Sequence, residues 1–486
     1  MEDASKAPFD IHGLDDVLRG GLPRGRLYLL KGRPGAGKTT LALQFLLAGA
    51  KAGERGLYIT LSETREELTD VARSHGWSLD GLTVFELQAA DAQQLTDTQY
   101  TMYQPSEIEL TEAMRTLLDE VQRVQPDRVV FDSLSEIRLL AHQPLRYRRQ
   151  ILALKSHFAG KKCTVLLLDD HSGEHSDEHV ESLVHGVVAL ERQVPIYGGT
   201  RRRMEISKLR GVSYRDGFHD YVIESGGLRV FPRLVASEHK PGFEFESVPS
   251  GVSALDELLG DGLDRGTATL VIGPAGSGKS SLAAQYCVAV AERGEHAAVF
   301  TFDEGLPTLF ARTDSLGMPL RKYVTSGQIS LRQVDPVEIS PGQLAHEVRD
   351  AVERHRARVV VLDSLTGYLN AMPDDRYLLS QLHELLAYLG QSGVLTILIA
   401  TQHGIIGSMT SQVDASYLAD SVILLRYYET EGAVHNAISV VKKRSGHHER
   451  TIREFSLGPG GITVGKPLRD FRGVLTGVPT YTGKSS

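Results

Sequence analysis

Four short runs in the first half of the chain, RLYLLK (26–31), GLYITL (56–61), RVVFD (128–132) and TVLLLD (164–169), are apolar at nearly every position. A strand buried on one face alternates apolar with polar residues. A strand covered on both faces does not, so these runs read as strands of a parallel sheet with helices on either side. The second half repeats the pattern with TATLVI (267–272), AAVFTF (297–302), RVVVLD (358–363) and VLTILIAT (394–401). Each half reads as strand, loop, helix and then three further strands alternating with helices, an α/β fold with a mostly parallel central sheet. The polar stretch ASEHKPGFE (236–244), with its Pro and Gly, interrupts the pattern and predicts a linker over 236–246. Domains over 1–235 and 247–486 follow, each of common domain size.

The two halves match in order as well as in pattern. LDDVLRGGLPRG (14–25) answers LDELLGDGLDRG (255–266), DRVVFDSL (127–134) answers ARVVVLDSL (357–365), and EISKLRG (205–211) answers SVVKKRSG (439–446). Between these lie GRPGAGKTT (32–40) and GPAGSGKSS (273–281), offset by 241 residues from Lys38 to Lys279. An ordered series at so long a period indicates two homologous domains rather than a solenoid.

Composition changes this picture little. The 486 residues carry 41% hydrophobic and 23% charged positions, as ordinary globular chains do. No apolar run approaches the ~20 residues of a membrane helix, and the N-terminus has no signal pattern, so a cytoplasmic protein is expected. Both cysteines, Cys163 and Cys287, lie in apolar surroundings and read as core residues. The formal charge of −8 disfavours a dedicated nucleic-acid binder.

The chemistry lies in the two glycine-rich loops. Gly32, Gly35 and Gly37, and likewise Gly273, Gly276 and Gly278, let the backbone curl so that its N–H groups point at phosphate oxygens beside a helix N-terminus. Lys38 and Lys279 then reach the β- and γ-phosphates of ATP, with Thr39, Thr40, Ser280 and Ser281 opening the helix behind. The hydroxyls of Thr39 and Ser280, with Asp132 and Asp363 at strand ends, form the expected Mg²⁺ set. Glu63 and Glu304, each following a neighbouring strand, are placed to orient an attacking water. Ser62 precedes the first and Asp303 the second, so only the second half offers paired carboxylates. Lys208 with Arg210, and Lys442 with Arg444, read as basic turns that can complete a neighbouring subunit's site. His171, His175 and His179 stand four apart among acids, but Ser, Gly and Asp around them favour a solvated loop over a metal site.

These features resemble the KaiC family of double-domain RecA-type ATPases. The likeness runs from about Phe9 to Gly483 and rests on the paired loops, SETREELTDVARSHGWSLDGL after the second strand, KLRG (208–211) and HHERTIREF (447–455). It implies two tandem RecA-like domains and a two-tiered homo-hexamer with ATP between neighbouring subunits, where the basic pairs act in trans. It also implies slow hydrolysis in the first domain, a serine/threonine self-kinase in the second, and KaiB-like partner proteins. The family pattern has two glutamates where this chain has Ser62-Glu63 and Asp303-Glu304, and a Ser-Thr phosphosite where it has Ser416-Tyr417. Ser416 is thus the expected acceptor, with Asp303 as its base. The family's activator-binding tail has no counterpart after PTYTGKSS, so a KaiA-type activator is not expected.

Two other classes share the fold. A RecA-like DNA recombinase or helicase would line a pore with Lys or Arg after the fourth core strand, whereas the loops there are DDHSGEHSDEH and QHGIIGSMTSQ. A nucleotide-bound scaffold without turnover would keep the loops and lose the hydrolytic step.

Overall fold

The computed structural model describes residues 5–87, 105–170, 178–195, 197–238, 242–370, 378–402, 417–430, 432–474 and 480–482. By its contacts the chain divides into two compact units, Met1–Arg233 and Leu234–Ser486. Each is built on a nine-stranded sheet.

In the first unit the sheet comprises β1 (Leu27–Gly32), β2 (Gly56–Thr60), β3 (Leu82–Glu86), β4 (Arg128–Asp132), β5 (Thr164–Asp170), β6 (Gly186–Gln193), β7 (Arg201–Leu209), β8 (Phe218–Glu224) and β9 (Gly227–Phe231). Their spatial order is β3-β2-β4-β5-β1-β6-β7-β8-β9. The first six of that order pair in parallel and the last three add antiparallel. The second sheet has β10 (Ala268–Gly273), β11 (His296–Thr301), β12 (Ile329–Gln333), β13 (Ala357–Asp363), β14 (Leu395–Thr401), β15 (Ser421–Thr430), β16 (Ala433–Lys443), β17 (Arg453–Gly458) and β18 (Gly461–Pro467). Its order, β12-β11-β13-β14-β10-β15-β16-β17-β18, repeats the first strand for strand.

The continuous apolar runs are buried on both faces. Tyr28, Leu30, Tyr58, Val130, Leu166 and Leu168 join one core with Leu41 and Phe45 of the helix Lys38–Lys51. The alternate residues Leu27, Leu29, Leu57, Ile59, Phe131 and Leu167 join another with Leu134, Ile151 and Leu154. Each such side chain contributes about 1.5–3 kcal/mol by leaving water, and the two layers together fix the sheet between helices. The four runs per half identified from periodicity are β1, β2, β4 and β5 and their counterparts. The pattern missed the parallel edge strands β3 and β12 and the whole antiparallel extension, because RRRMEISKL in β7 is half-buried and largely charged.

The helix Lys38–Lys51 passes directly over Arg128, whose side chain has no exposed surface. Arg128 donates to Glu54 at 2.5 Å and to the carbonyls of Pro8 and Phe45 at 2.6 and 2.8 Å. Gly49 leaves room for it, since a Cβ there would lie 2.7 Å from Arg128 Cδ. Replacing Arg128 by Ala strips buried acceptors of their donor and should cost about 3–5 kcal/mol. A thermal transition unchanged in Arg128→Ala would contradict this.

The segment read as a linker is mostly exposed among its described residues, but Ala236 and Phe243 within it are anchored to the second unit. Leu234 and Ala236 enter a core of the second unit. Phe243 lies between Gly266 and Gly393, where a Cβ on either glycine would come within 2.3 Å of its ring, and the Arg265 guanidinium lies 5.5 Å from the ring centre.

Candidate functional site

In a parallel α/β sheet the strand C-termini open onto the ligand crevice, and every phosphate-loop residue here lies at that edge. β1 ends at Gly32 and the helix begins at Lys38. β10 ends at Gly273 and its helix begins at Lys279. The loops need glycine for two separate reasons. Gly35 and Gly37 have φ of 77° and 96°, and Gly276 and Gly278 have 78° and 96°, in the left-handed region that side chains avoid. Gly32 and Gly273 instead pass so close to the next strand that a Cβ would lie 2.7 Å from the carbonyl oxygen of Leu190 or Leu425.

Lys38 and Lys279 are both buried, and each folds back on its own loop. Lys38 Nζ donates to the Gly32 carbonyl at 2.8 Å and pairs with Asp170 at 2.6 Å. Lys279 donates to the Pro274 carbonyl at 2.7 Å, and burial pushes it down to about 8. Asp170 ends β5 in register with Gly32, whereas Thr401 occupies the matching position beside Gly273. Only the first loop therefore has a carboxylate beside its lysine from that strand.

Thr39 Oγ1 donates to Asp132 Oδ2 at 3.5 Å, and Ser280 is hydrogen-bonded to Asp363. These hydroxyl and carboxylate oxygens suit a hard dication such as Mg²⁺. Burial raises both aspartates above the usual carboxylate range. Tyr58 also donates to Asp132, at 2.5 Å, and nothing in the sequence marked it except its position in β2. Thr40 is buried, and Ser281 Oγ accepts from Arg312 Nη1 at 2.7 Å.

Glu63 and Glu304 occupy matching backbone positions: the Thr60 hydroxyl donates to the Glu63 carbonyl at 2.6 Å and that of Thr301 to the Glu304 carbonyl at 3.2 Å. Their side chains differ. Glu63 Oε2 is buried with no donor, and burial, followed by the charges of Asp132, Glu67 and Asp170, pushes its carboxyl up to about 7. Glu304 is held at both oxygens by Arg312, at 3.1 Å from Nε and 2.7 Å from Nη2. Asp303 is exposed and accepts from Ser364 Oγ at 2.5 Å. The carboxylates paired in sequence thus have separate partners.

Each basic pair straddles a strand end: Lys208 and Lys442 lie within β7 and β16, and Arg210 and Arg444 in the turn or bend that follows. Lys208, in β7, donates to the Glu181 carbonyl, and Arg210, just past the strand, donates to the Ser182 carbonyl at 3.1 Å. Lys442, in β16, donates to the Ala419 carbonyl at 2.7 Å, and Arg444 pairs with Asp420 at 3.3 Å. Through Val187, Lys208 is level with Leu29, three residues before Gly32, or roughly 10 Å back along the strand. Lys442 stands likewise level with Leu270 through Val422. Neither pair sits at the edge of the sheet that carries the loop of its own unit.

Ser416, His171 and His175 lie outside the described residues, as does the side chain of His179. Among the described residues, no helix is long and apolar enough to cross a membrane.

The family description "ATPase: KaiC" matches residues 7–235 and again 248–469. The chain is 28% identical over 485 residues to the circadian clock protein KaiC3 of Synechocystis, covering 98% of this chain and 94% of that protein. It is 26% identical to the circadian clock oscillator protein KaiC of Picosynechococcus, over 97% of this chain and 91% of that one, and shares the same identity with that of Synechococcus elongatus, with equal coverage.

Proposed function

From the chain's membership of the KaiC ATPase family, we infer that it is an ATP-hydrolysing, hexameric signalling protein with Mg-ATP bound in both units. The observation that supports this best is the repetition of the whole set at the same strand ends of two identically ordered sheets: loop lysine, strand-end aspartate and following glutamate. In each unit the loop N–H groups and the lysine bind the phosphates. Thr39 with Asp132, and Ser280 with Asp363, would hold Mg²⁺, which would supply charge neutralisation for the phosphates. Glu63, with an unpaired oxygen and raised proton affinity, takes the proton of the attacking water. Lys208 and Arg210, and Lys442 and Arg444, are set back from their own loops and are assigned to a neighbouring subunit's phosphates in the ring.

The second unit adds a self-kinase, with Ser416 as acceptor and exposed Asp303 as base. KaiB-like proteins are its expected class of partner. Two measurements test this. Light scattering should show a hexamer in saturating Mg-ATP, and a strict monomer would overturn the ring. Intact mass after incubation with Mg-ATP, read together with released phosphate, should show hydrolysis and one phosphoryl group on Ser416. Phosphate release from an unmodified chain would leave an ATPase without the kinase, and no release would leave a scaffold.

A further inference from the structure

The two glutamates assigned to water differ in one neighbour. The helices that follow them, Arg65–Ser74 and Leu306–Ser315, each have ten residues, and their seventh positions are Val71 and Arg312. Arg312 spans from Glu304 to Ser281, using Nε and Nη2 on the carboxylate and Nη1 on the hydroxyl. The Arg312 and Glu304 side chains are half-buried, at 26% and 22% exposure. Val71 cannot donate, and Glu63 Oε2 has no donor.

We propose that Arg312 is a positioning residue that holds Glu304 back from the attacking water, so that the second site keeps ATP longer than the first. The proposal rests on the reading of Glu63 and Glu304 as the water-orienting groups. With Nε on one oxygen and Nη2 on the other, the guanidinium fork holds the Glu304 carboxylate in a fixed orientation and occupies both of its acceptor oxygens, while a general base must turn an oxygen to the water whose proton it takes. The other charges near Glu304 are Asp303 beside it in the chain and Asp363 at the end of β13, with Lys279 facing Asp363. Those near Glu63 are Asp132, Glu67, Asp170 and Lys38. Only at Glu304 do the described contacts include a cation in direct contact with the carboxylate. ATP that is not lost to water remains available for transfer to a hydroxyl.

The test uses the full chain with Lys38→Ala, so that released phosphate comes from the second site. Arg312→Val should raise single-turnover release at least about three-fold at unchanged ATP affinity, and Arg312→Lys, which cannot fork, should fall between. In the converse background, Lys279→Ala, Val71→Arg should slow first-site release, and it serves if Arg312→Val fails to fold. Glu304→Gln separates the two claims. If it leaves second-site release intact, the water-orienting reading fails and the clamp with it. If it abolishes release while Arg312→Val leaves the rate unchanged or lowers it at retained affinity, the clamp alone is overturned. With Glu304→Gln present, Arg312→Val should add nothing.

Discussion

With the second site disabled by Lys279→Ala, Glu63→Gln should lower phosphate release by about 10²–10⁴, the usual contribution of a positioned base, while ATP affinity stays nearly the same. Gln keeps the shape and loses the ability to accept a proton. Because Glu63 titrates at about 7, its own release rate should be level at pH 8 and above and fall about tenfold per unit below pH 7. Stability runs the other way. A carboxyl raised above its unfolded value of 4.5 contributes stability that is complete below that pH and lost as pH rises through about 7. Nucleotide-free Glu63→Gln should therefore melt no lower than its parent at pH 8, which separates a chemical effect from misfolding. Release that is flat from pH 8 to 6, or that survives Glu63→Gln within a few-fold, would remove Glu63 from the reaction.

Lys38→Ala and Lys279→Ala should each reduce bound nucleotide from two per chain to one, and together to none. The losses should be unequal. Lys279 has no carboxylate beside it from the neighbouring strand, and removing it forfeits a charge-assisted contact worth about 1.5–3 kcal/mol. Lys38 also neutralises Asp170 at 2.6 Å, so its removal leaves an anion at the phosphate site. First-site affinity should fall more than about a hundred-fold in Lys38→Ala, and Asp170→Thr, the residue type of the second unit, should restore part of it. Equilibrium binding of labelled ATP checks this. Two nucleotides retained by both single variants would sink the assignment of the loops.

The loops, the strand-end aspartates and the two glutamates were legible because each is tied to a local pattern: a glycine spacing, an apolar run that ends in Asp, a carboxylate after the next run. Asp170, Tyr58 and Arg312 were not, since they act across strands or along a helix face. Asp170 meets Lys38 only through the parallel register of β5 with β1. Arg312 looks like any polar helix residue until Val71 is seen at its counterpart position. The antiparallel half of each sheet escaped for a related reason: its strands are half-covered, and charged residues such as Arg201, Arg202 and Arg203 hide the alternation.

The seating of Phe243 governs where this gene divides. A second half translated from Ser247 onward would lack the ring that fills the slot between Gly266 and Gly393, together with Leu234 and Ala236. A fragment beginning at Leu234 keeps all three, so the workable junction falls directly after Arg233, upstream of the polar stretch that first suggests one.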